Sequence, residues 1–296
     1  VAVAVRERGS YAWCTERGIE ALAGADDATD YAPHSPELTL EYPESVAAPE
    51  LPQRYVCVTI NDADDEQAQN LAELLEYTYQ EHGLSTVFLS HMGNPAQAAV
   101  AGERGDYEVH ARIAEQMHTP ATLVPITHAD AAVRIHRGAA LTLTSRYHPA
   151  VFGLAVGVPV VALVPDAFTE MRLTGVMKHY GVGEFITPLE MLGTAIPSLL
   201  LDAAVQLNDP ELGATFTELQ APRRAEVLGA LAEWRQYVWE RISGNDGARE
   251  PQNLPKVHQV EALNEPLRGV NRAARRLLRR TSLEAGNEWA LSDRMH

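Results

Sequence analysis

Arg146 and His148 are the two side chains whose types and spacing best suggest chemistry. They lie in Leu141-Thr142-Leu143-Thr144-Ser145-Arg146-Tyr147-His148-Pro149. A guanidinium is a planar fork that matches a carboxylate or phosphate in bidentate fashion. An imidazole exchanges protons near neutral pH. Ala140–Leu143 reads as a strand, Pro149–Val156 as an apolar helix and Val158–Val164 as another strand. Pro149 suits the first helical position, where its missing N–H is not needed. Arg146 and His148 then fall between the carboxyl end of a strand and the amino end of a helix. In open α/β sheets ligands bind in that crevice, and the helix amino end favours an anion. A lone loop arginine is ordinarily a surface cation, and a lone histidine is ordinarily structural. Their joint placement at such a turn is what points to an anionic substrate beside a proton donor.

The elements that must position this pair alternate. Tyr55–Ile60 is a compact β-branched strand, and Asp64 or Asp65 can cap the helix that Gly83 ends. Thr86–Leu89 is the next strand, followed by a helix over Asp106–Met117 and a short strand at Thr122–Val124. His128–His136 is helical, with Gly138 at its carboxyl cap. Five strands alternating with helices predict an α/β fold, a doubly wound parallel sheet with helices on both faces. Ahead of it, Val1–Val5 reads as a strand, Tyr11–Gly18 as a helix and residues 24–53 as a connector. Behind it, Leu189–Leu207 is apolar-periodic but broken by Pro197, and Pro222–Ile242 is one amphipathic helix. The expected division is 1–49, the end of an earlier lobe with its connector; 50–210, a Rossmann-like lobe; 211–243, helices; and 244–296, a linker and basic tail. The apolar run Pro149–Pro165 is interrupted by Gly157-Val158-Pro159 and reads as two buried elements rather than a membrane span.

The chain has 296 residues, with 24 Lys+Arg against 40 Asp+Glu and a net charge of −16. A hydrophobic fraction of 46% excludes wholesale disorder, and the acidity argues against a nucleic-acid partner. The charge is uneven, because residues 266–296 hold seven arginines against three acidic residues. A basic helix at 271–283, with Leu277 and Leu278 on one side, allows peripheral contact with an anionic membrane. A solvated helix, or a partner for the acidic body, is the other reading. Cys14 and Cys57 make neither a disulfide framework nor a zinc site, so a reducing, cytoplasmic setting is expected. The opening Val1-Ala2-Val3-Ala4-Val5 reads as a chain that starts inside a longer protein.

The segment Ser145–Val164 resembles the signature of the polysaccharide pyruvyl transferase family: an Arg-x-His triplet opening an Ala/Gly-rich helix, then Gly-Val-Pro and an apolar strand. Val5-Arg6-Glu7 with Ser10, Ala25-Asp26-Asp27-Ala28, Asp106 and Gly181-Val182 resemble further family segments in the right order. The resemblance covers about residues 1–240. It implies one lobe of a glycosyltransferase-B-like pair, with the earlier Rossmann-like lobe and its Gly-Asn-x-Gly-Asp region largely missing. It implies transfer of pyruvate from phosphoenolpyruvate, the donor substrate, onto a saccharide or lipid-linked saccharide diol as a ketal. In that reaction Arg146, Arg6 and Ser145 would bind the donor and His148 would be the general acid. No cofactor and no metal is implied. The chain departs from the family at Tyr147, where leucine is common. It departs again at Asp166-Ala167-Phe168-Thr169, which replaces Asp-Pro-Lys and loses a cation that Arg172 or Lys178 could supply.

His91 and Asn94 follow the strand Thr86–Leu89 and, with Asp106, are candidates for the acceptor side, against the plainer reading of a polar loop. His110, His118, His128 and His136 read as surface or partly buried residues. Asn61, Asp62, Asp64 and Asp65 lack the glycine and terminal glutamate of a calcium loop, so helix capping is expected of them. Trp234 and Trp239 read as lobe packing rather than a sugar platform. Two other functions fit the same residues: a nucleotide-sugar glycosyltransferase with Arg146 on the diphosphate, and a non-catalytic saccharide-binding relative.

Overall fold

The structure is a computed structural model that describes residues 3–35, 50–93, 105–126, 128–208 and 215–243. Asn94 and the basic segment 271–283 lie outside the described residues.

A six-stranded parallel sheet forms the centre. Its strands are β3 (Tyr55–Thr59), β4 (Ser85–Leu89), β5 (Ala121–Val124), β6 (Leu141–Thr144), β7 (Val160–Val164) and β8 (Ile186–Pro188). The spatial order is β5-β4-β3-β6-β7-β8, every pair parallel. The chain winds one way from β3 and the other way from β6. The crevice outside the carboxyl ends of these two neighbours is therefore the switch point where open α/β sheets bind ligands.

β3 shows why the sheet forms. All five of its residues are buried. Val56 and Val58 face one side, among the apolar residues of α3 (Asp65–His82) and α8 (Ala195–Gln206). Tyr55 and Cys57 face the other side, among Val133 and Ile135 of α5 (Ala129–Gly138) and Phe152 of α6 (Tyr147–Ala155). Continuous apolar strands covered on both faces are the mark of a parallel sheet. Asp64 caps α3 through a reciprocal pair with Gln67, and Gly83 closes it in the left-handed conformation at φ 63°.

Several local expectations are revised. Pro149 is the third residue of α6, not the first, and Arg146 is the N-cap. The helix accepts this because the first four N–H groups have no intrahelical acceptor anyway. Between β7 and β8 lies α7 (Ala167–His179), whose apolar positions are too scattered to show as a period. β8 adds a sixth strand; three residues ending in proline suit a sheet edge but are too short to read as alternation. Part of the expected connector is α2 (Ala28–His34). The last helix among the described residues, α9 (Phe216–Ile242), starts before Pro222, where Thr215 and Glu218 cap each other.

The amino-terminal segment forms its own parallel pair, β1 (Ala4–Val5) and β2 (Leu22–Ala23), with α1 (Arg8–Glu16) between them. α2 packs on α6, and α9 returns to the same segment. Trp234 lies against Gly24, where a Cβ would come within 2.6 Å of its ring. Arg235 binds Asp27 and Asp30 at 2.7 and 2.6 Å. Trp234 therefore packs, while Trp239 is 68% exposed. Among the described residues no helix is long and apolar enough to cross a membrane.

Candidate active site

Two sets of strand ends meet at one crevice. The carboxyl end of β6 delivers Ser145, Arg146, Tyr147 and His148, and that of β4 delivers His91 and Met92. The carboxyl ends of β1 and β2 bring Arg6 and Asp26 to the edge of the same group. The crevice has a volume of about 480 Å³ and is lined by Asn61, His91, Arg146, Tyr147, His148, Phe168 and Arg172, among others.

Arg146 is held from behind. Its Nε and Nη2 donate to the Asp106 carboxylate at 2.9 and 2.6 Å. The same carboxylate accepts the backbone N–H groups of His91 and Met92, both at 2.9 Å. Asp106, expected on the acceptor side, is fully buried and points at Arg146 and at this loop. It therefore orients the guanidinium and the loop after β4 together. Ser145 differs from its expected role as well. It is buried, accepts the Asn61 N–H at 3.0 Å and donates its hydroxyl to the Asn61 side chain. It ties the β6 turn to the β3 turn and has no spare hydrogen for a ligand.

His148 is about half exposed at the mouth, with its ring 6.1 Å from that of Phe152. Burial pushes its pKa down, the Asp26 carboxylate pulls it back up, and Arg6 and Arg172 push it down again. Arg6, expected to bind the donor, stands beside His148 without lining the crevice. Its Nη1 is 2.6 Å from Asp26 Oδ2, and its guanidinium lies 4.1 Å over the Tyr147 ring. Arg172 sits 4.9 Å from the same ring and 5.3 Å from Phe168. Two guanidiniums thus lie within cation–π distance of the Tyr147 ring. Arg172 lines the crevice, one helical turn after the position where the family's lysine is replaced by Phe168. Lys178 does not line it.

Behind His91 lie two buried histidines whose charged form burial disfavours. His136 and His110 are fully buried, contrary to the surface or partly buried reading, and burial lowers each pKa to about 3. His110 Nε2 accepts the Ile60 N–H at 2.9 Å, which fixes the start of the β3 turn. His136 Nε2 and His91 Nε2 share a hydrogen bond at 3.3 Å, and His136 Nδ1 lies 3.0 Å from Thr142 Oγ1. Burial, then the neighbouring His136, holds the His91 pKa well below its ordinary value. His91 therefore offers the crevice a neutral imidazole.

A second cavity of about 280 Å³ lies on the other side of the Asn61-Asp62 turn. Its lining includes Asp62, Asp166, Glu170 and Glu190. An anion is directed to the first cavity by the sign of the surrounding charge alone.

The sequence pointed to Arg146, His148, Arg6 and His91; Arg146, His148 and His91 line the crevice, whereas Arg6 lies at its edge on Asp26 and Tyr147. It did not single out Asn61, Phe168 or Asp26 as site residues. For Asn61 a signal was present, because it lies just past the carboxyl end of a strand, as Ser145 does.

The sequence model of the family described as polysaccharide pyruvyl transferase matches residues 1–166. The chain belongs to the polysaccharide pyruvyl transferase family. The match contains every described residue of the crevice up to Asp166 and stops just before α7, which carries Phe168 and Arg172. No protein of curated function matches this family member in sequence. Among solved structures, a Listeria monocytogenes protein assigned as a UDP-N-acetylglucosamine 2-epimerase is similar at 15% identity and a TM-score of 0.52, over 84% of this chain and 61% of that one. The UDP co-structure of S. aureus MnaA is similar at 11% identity and a TM-score of 0.50, over 85% of this chain and 61% of that one. At such identities the likeness is one of fold: a Rossmann-like lobe of the glycosyltransferase-B-like kind with a helical carboxyl-terminal region. The chain spans less than two thirds of the length of either protein.

Proposed function

We propose that the crevice binds phosphoenolpyruvate and that the protein transfers its pyruvyl group to a saccharide diol as a ketal. The observation that carries this reading is the convergence of Arg146, Arg172 and His148 in one crevice of a chain with a net charge of −16. An acidic protein repels an anionic donor at long range, so local cations must hold it. Arg146, pre-oriented by Asp106, presents the rest of its fork to a carboxylate or phosphate. Arg172, beside the Tyr147 ring, supplies a second cation. Fixed cations in a narrow crevice stabilise developing charge more strongly than water does.

The chemistry balances with the chain's own groups. His148, as imidazolium, gives a proton to the methylene carbon of the enol phosphate, and the adjacent carbon becomes oxocarbenium-like. One acceptor hydroxyl attacks that carbon and returns its proton to the His148 imidazole. The second hydroxyl replaces the phosphate group, which leaves with the remaining proton as inorganic phosphate. The acceptor is a saccharide or a lipid-linked saccharide, and its hydroxyls would approach from the His91 side. The setting proposed is cytoplasmic assembly of a cell-surface polysaccharide, with peripheral membrane contact through 271–283.

Phosphate release from phosphoenolpyruvate in the presence of saccharide acceptors tests the reading. Release should depend on the protein and fall by about 10²-fold or more in His148→Gln, the scale of a lost general acid. Binding of a UDP-sugar in the crevice without phosphoenolpyruvate turnover would overturn it in favour of a glycosyltransferase. Saccharide binding with no turnover of either donor would favour the non-catalytic relative.

A further inference from the structure

Asp26 Oδ2 is 2.6 Å from Arg6 Nη1 and 3.8 Å from His148 Nε2. One carboxylate oxygen thus faces two cationic partners but is within hydrogen-bond reach of only one. Its other oxygen accepts the Ala28 N–H at 3.0 Å at the start of α2, which anchors the residue without occupying Oδ2. The Asp26 side chain is 11% exposed, so water competes little for that oxygen.

A general acid at carbon must carry its proton when the donor arrives. In the structure His148 is biased against carrying it. The groups that face it are Arg6 after β1, Asp26 after β2, His91 after β4, Arg172 on α7 and the neighbouring Tyr147 ring. Burial and the two arginines oppose protonation, and Asp26 alone favours it. Asp26 is meanwhile engaged by Arg6. Arg6 also pairs with Glu7 through Nε at 3.4 Å. A donor anion that binds Arg6 changes both facts at once: it adds negative charge beside His148, and it replaces Asp26, the closer of the two carboxylates that Arg6 now holds. A side-chain rotation of about 1 Å then brings Oδ2 within hydrogen-bond distance of His148 Nε2.

We propose that Asp26 is a positioning residue shared between Arg6 and His148, and that an anionic donor engaging Arg6 hands the Asp26 carboxylate to His148. Donor binding thereby favours the protonated form of the acid that the donor needs. The inference rests on the phosphoenolpyruvate reading and adds a residue to it.

The test is the pH titration of the His148 ring resonance by NMR, identified by its loss in His148→Gln, with and without saturating phosphoenolpyruvate. In the wild-type protein the midpoint should rise by about one pH unit or more on binding, a tenfold gain in proton affinity. In Asp26→Asn, which keeps the acceptor for Ala28 N–H, the rise should shrink to less than roughly half of that. In Arg6→Gln the free protein should already titrate higher, and the ligand should add little. An equal rise in Asp26→Asn, or no rise in wild-type protein that calorimetry shows to bind phosphoenolpyruvate, overturns the inference and leaves the donor assignment standing. Absence of phosphoenolpyruvate binding in the same calorimetry overturns the donor assignment itself, and the inference with it.

Discussion

Asp106 stands directly behind Arg146: the guanidinium that lines the crevice is gripped through Nε and Nη2 by a carboxylate with no solvent exposure. The same carboxylate holds two backbone N–H groups of the loop after β4. Replacing Asp106 by alanine removes all four contacts and leaves donors unpaired. Arg146 keeps some access to water, with its side chain 26% exposed, so part of the cost of an unpaired charge is screened. Asp106→Ala should lose about 3 kcal/mol of stability in chemical denaturation. Donor affinity should fall in parallel, because Arg146 and the His91 loop lose their common anchor.

Arg172 and Lys178 separate two explanations for the missing family lysine. Arg172 lines the crevice and stacks beside Tyr147, whereas Lys178 is not among the lining residues. Arg172→Ala should weaken phosphoenolpyruvate binding by about tenfold or more, the scale of one charge-assisted hydrogen bond. Lys178→Ala should leave it unchanged. Calorimetric titration of both variants checks this.

Acid stability should follow the buried histidines. His110 and His136 have pKa values near 3 in the folded protein, against about 6.5 in an unfolded chain. Below pH 6.5 the unfolded state binds protons that the folded state refuses, so stability is full above that pH and is lost as pH falls. The slope is about 1.4 kcal/mol per pH unit for each histidine. Between pH 7 and 5 the pair should remove on the order of 4 kcal/mol. Urea midpoints at the two pH values measure this, and His136→Phe should remove about half of the difference.

Gly175 lets α7 approach the segment that carries Arg6. A Cβ there would lie 2.6 Å from Glu7 Cβ. Gly175→Val should cost about 1–3 kcal/mol of stability by overpacking. It should also displace Arg6 from Tyr147 and Asp26. A lower thermal midpoint together with weaker phosphoenolpyruvate binding would show both effects.

The alternation of strands and helices was readable because its causes are local. β-branched runs, the Asp64 and Gln67 cap and Gly83 each act within a few residues of themselves. The same holds for Arg146 and His148, which the chain itself places at one turn. α7 and β8 escaped for an equally physical reason. Scattered apolar positions and a strand of three residues leave too little period to read. Pro222 misplaced the start of α9, since a proline suits a first turn but is here tolerated within a helix capped at Thr215.

The residues themselves determined the chemistry available: cationic forks and an imidazole at a strand-to-helix turn, in an acidic chain. Tertiary structure alone decided how those groups are used. Asp106 meets Arg146 across 40 positions of sequence, and Arg6 meets Asp26 across 20. His110 and His136 become buried rather than surface residues. None of these is encoded by spacing, because each depends on which strands become neighbours in the sheet. That choice is made by packing apolar faces together, and the polar side chains at the strand ends are carried to their partners by it.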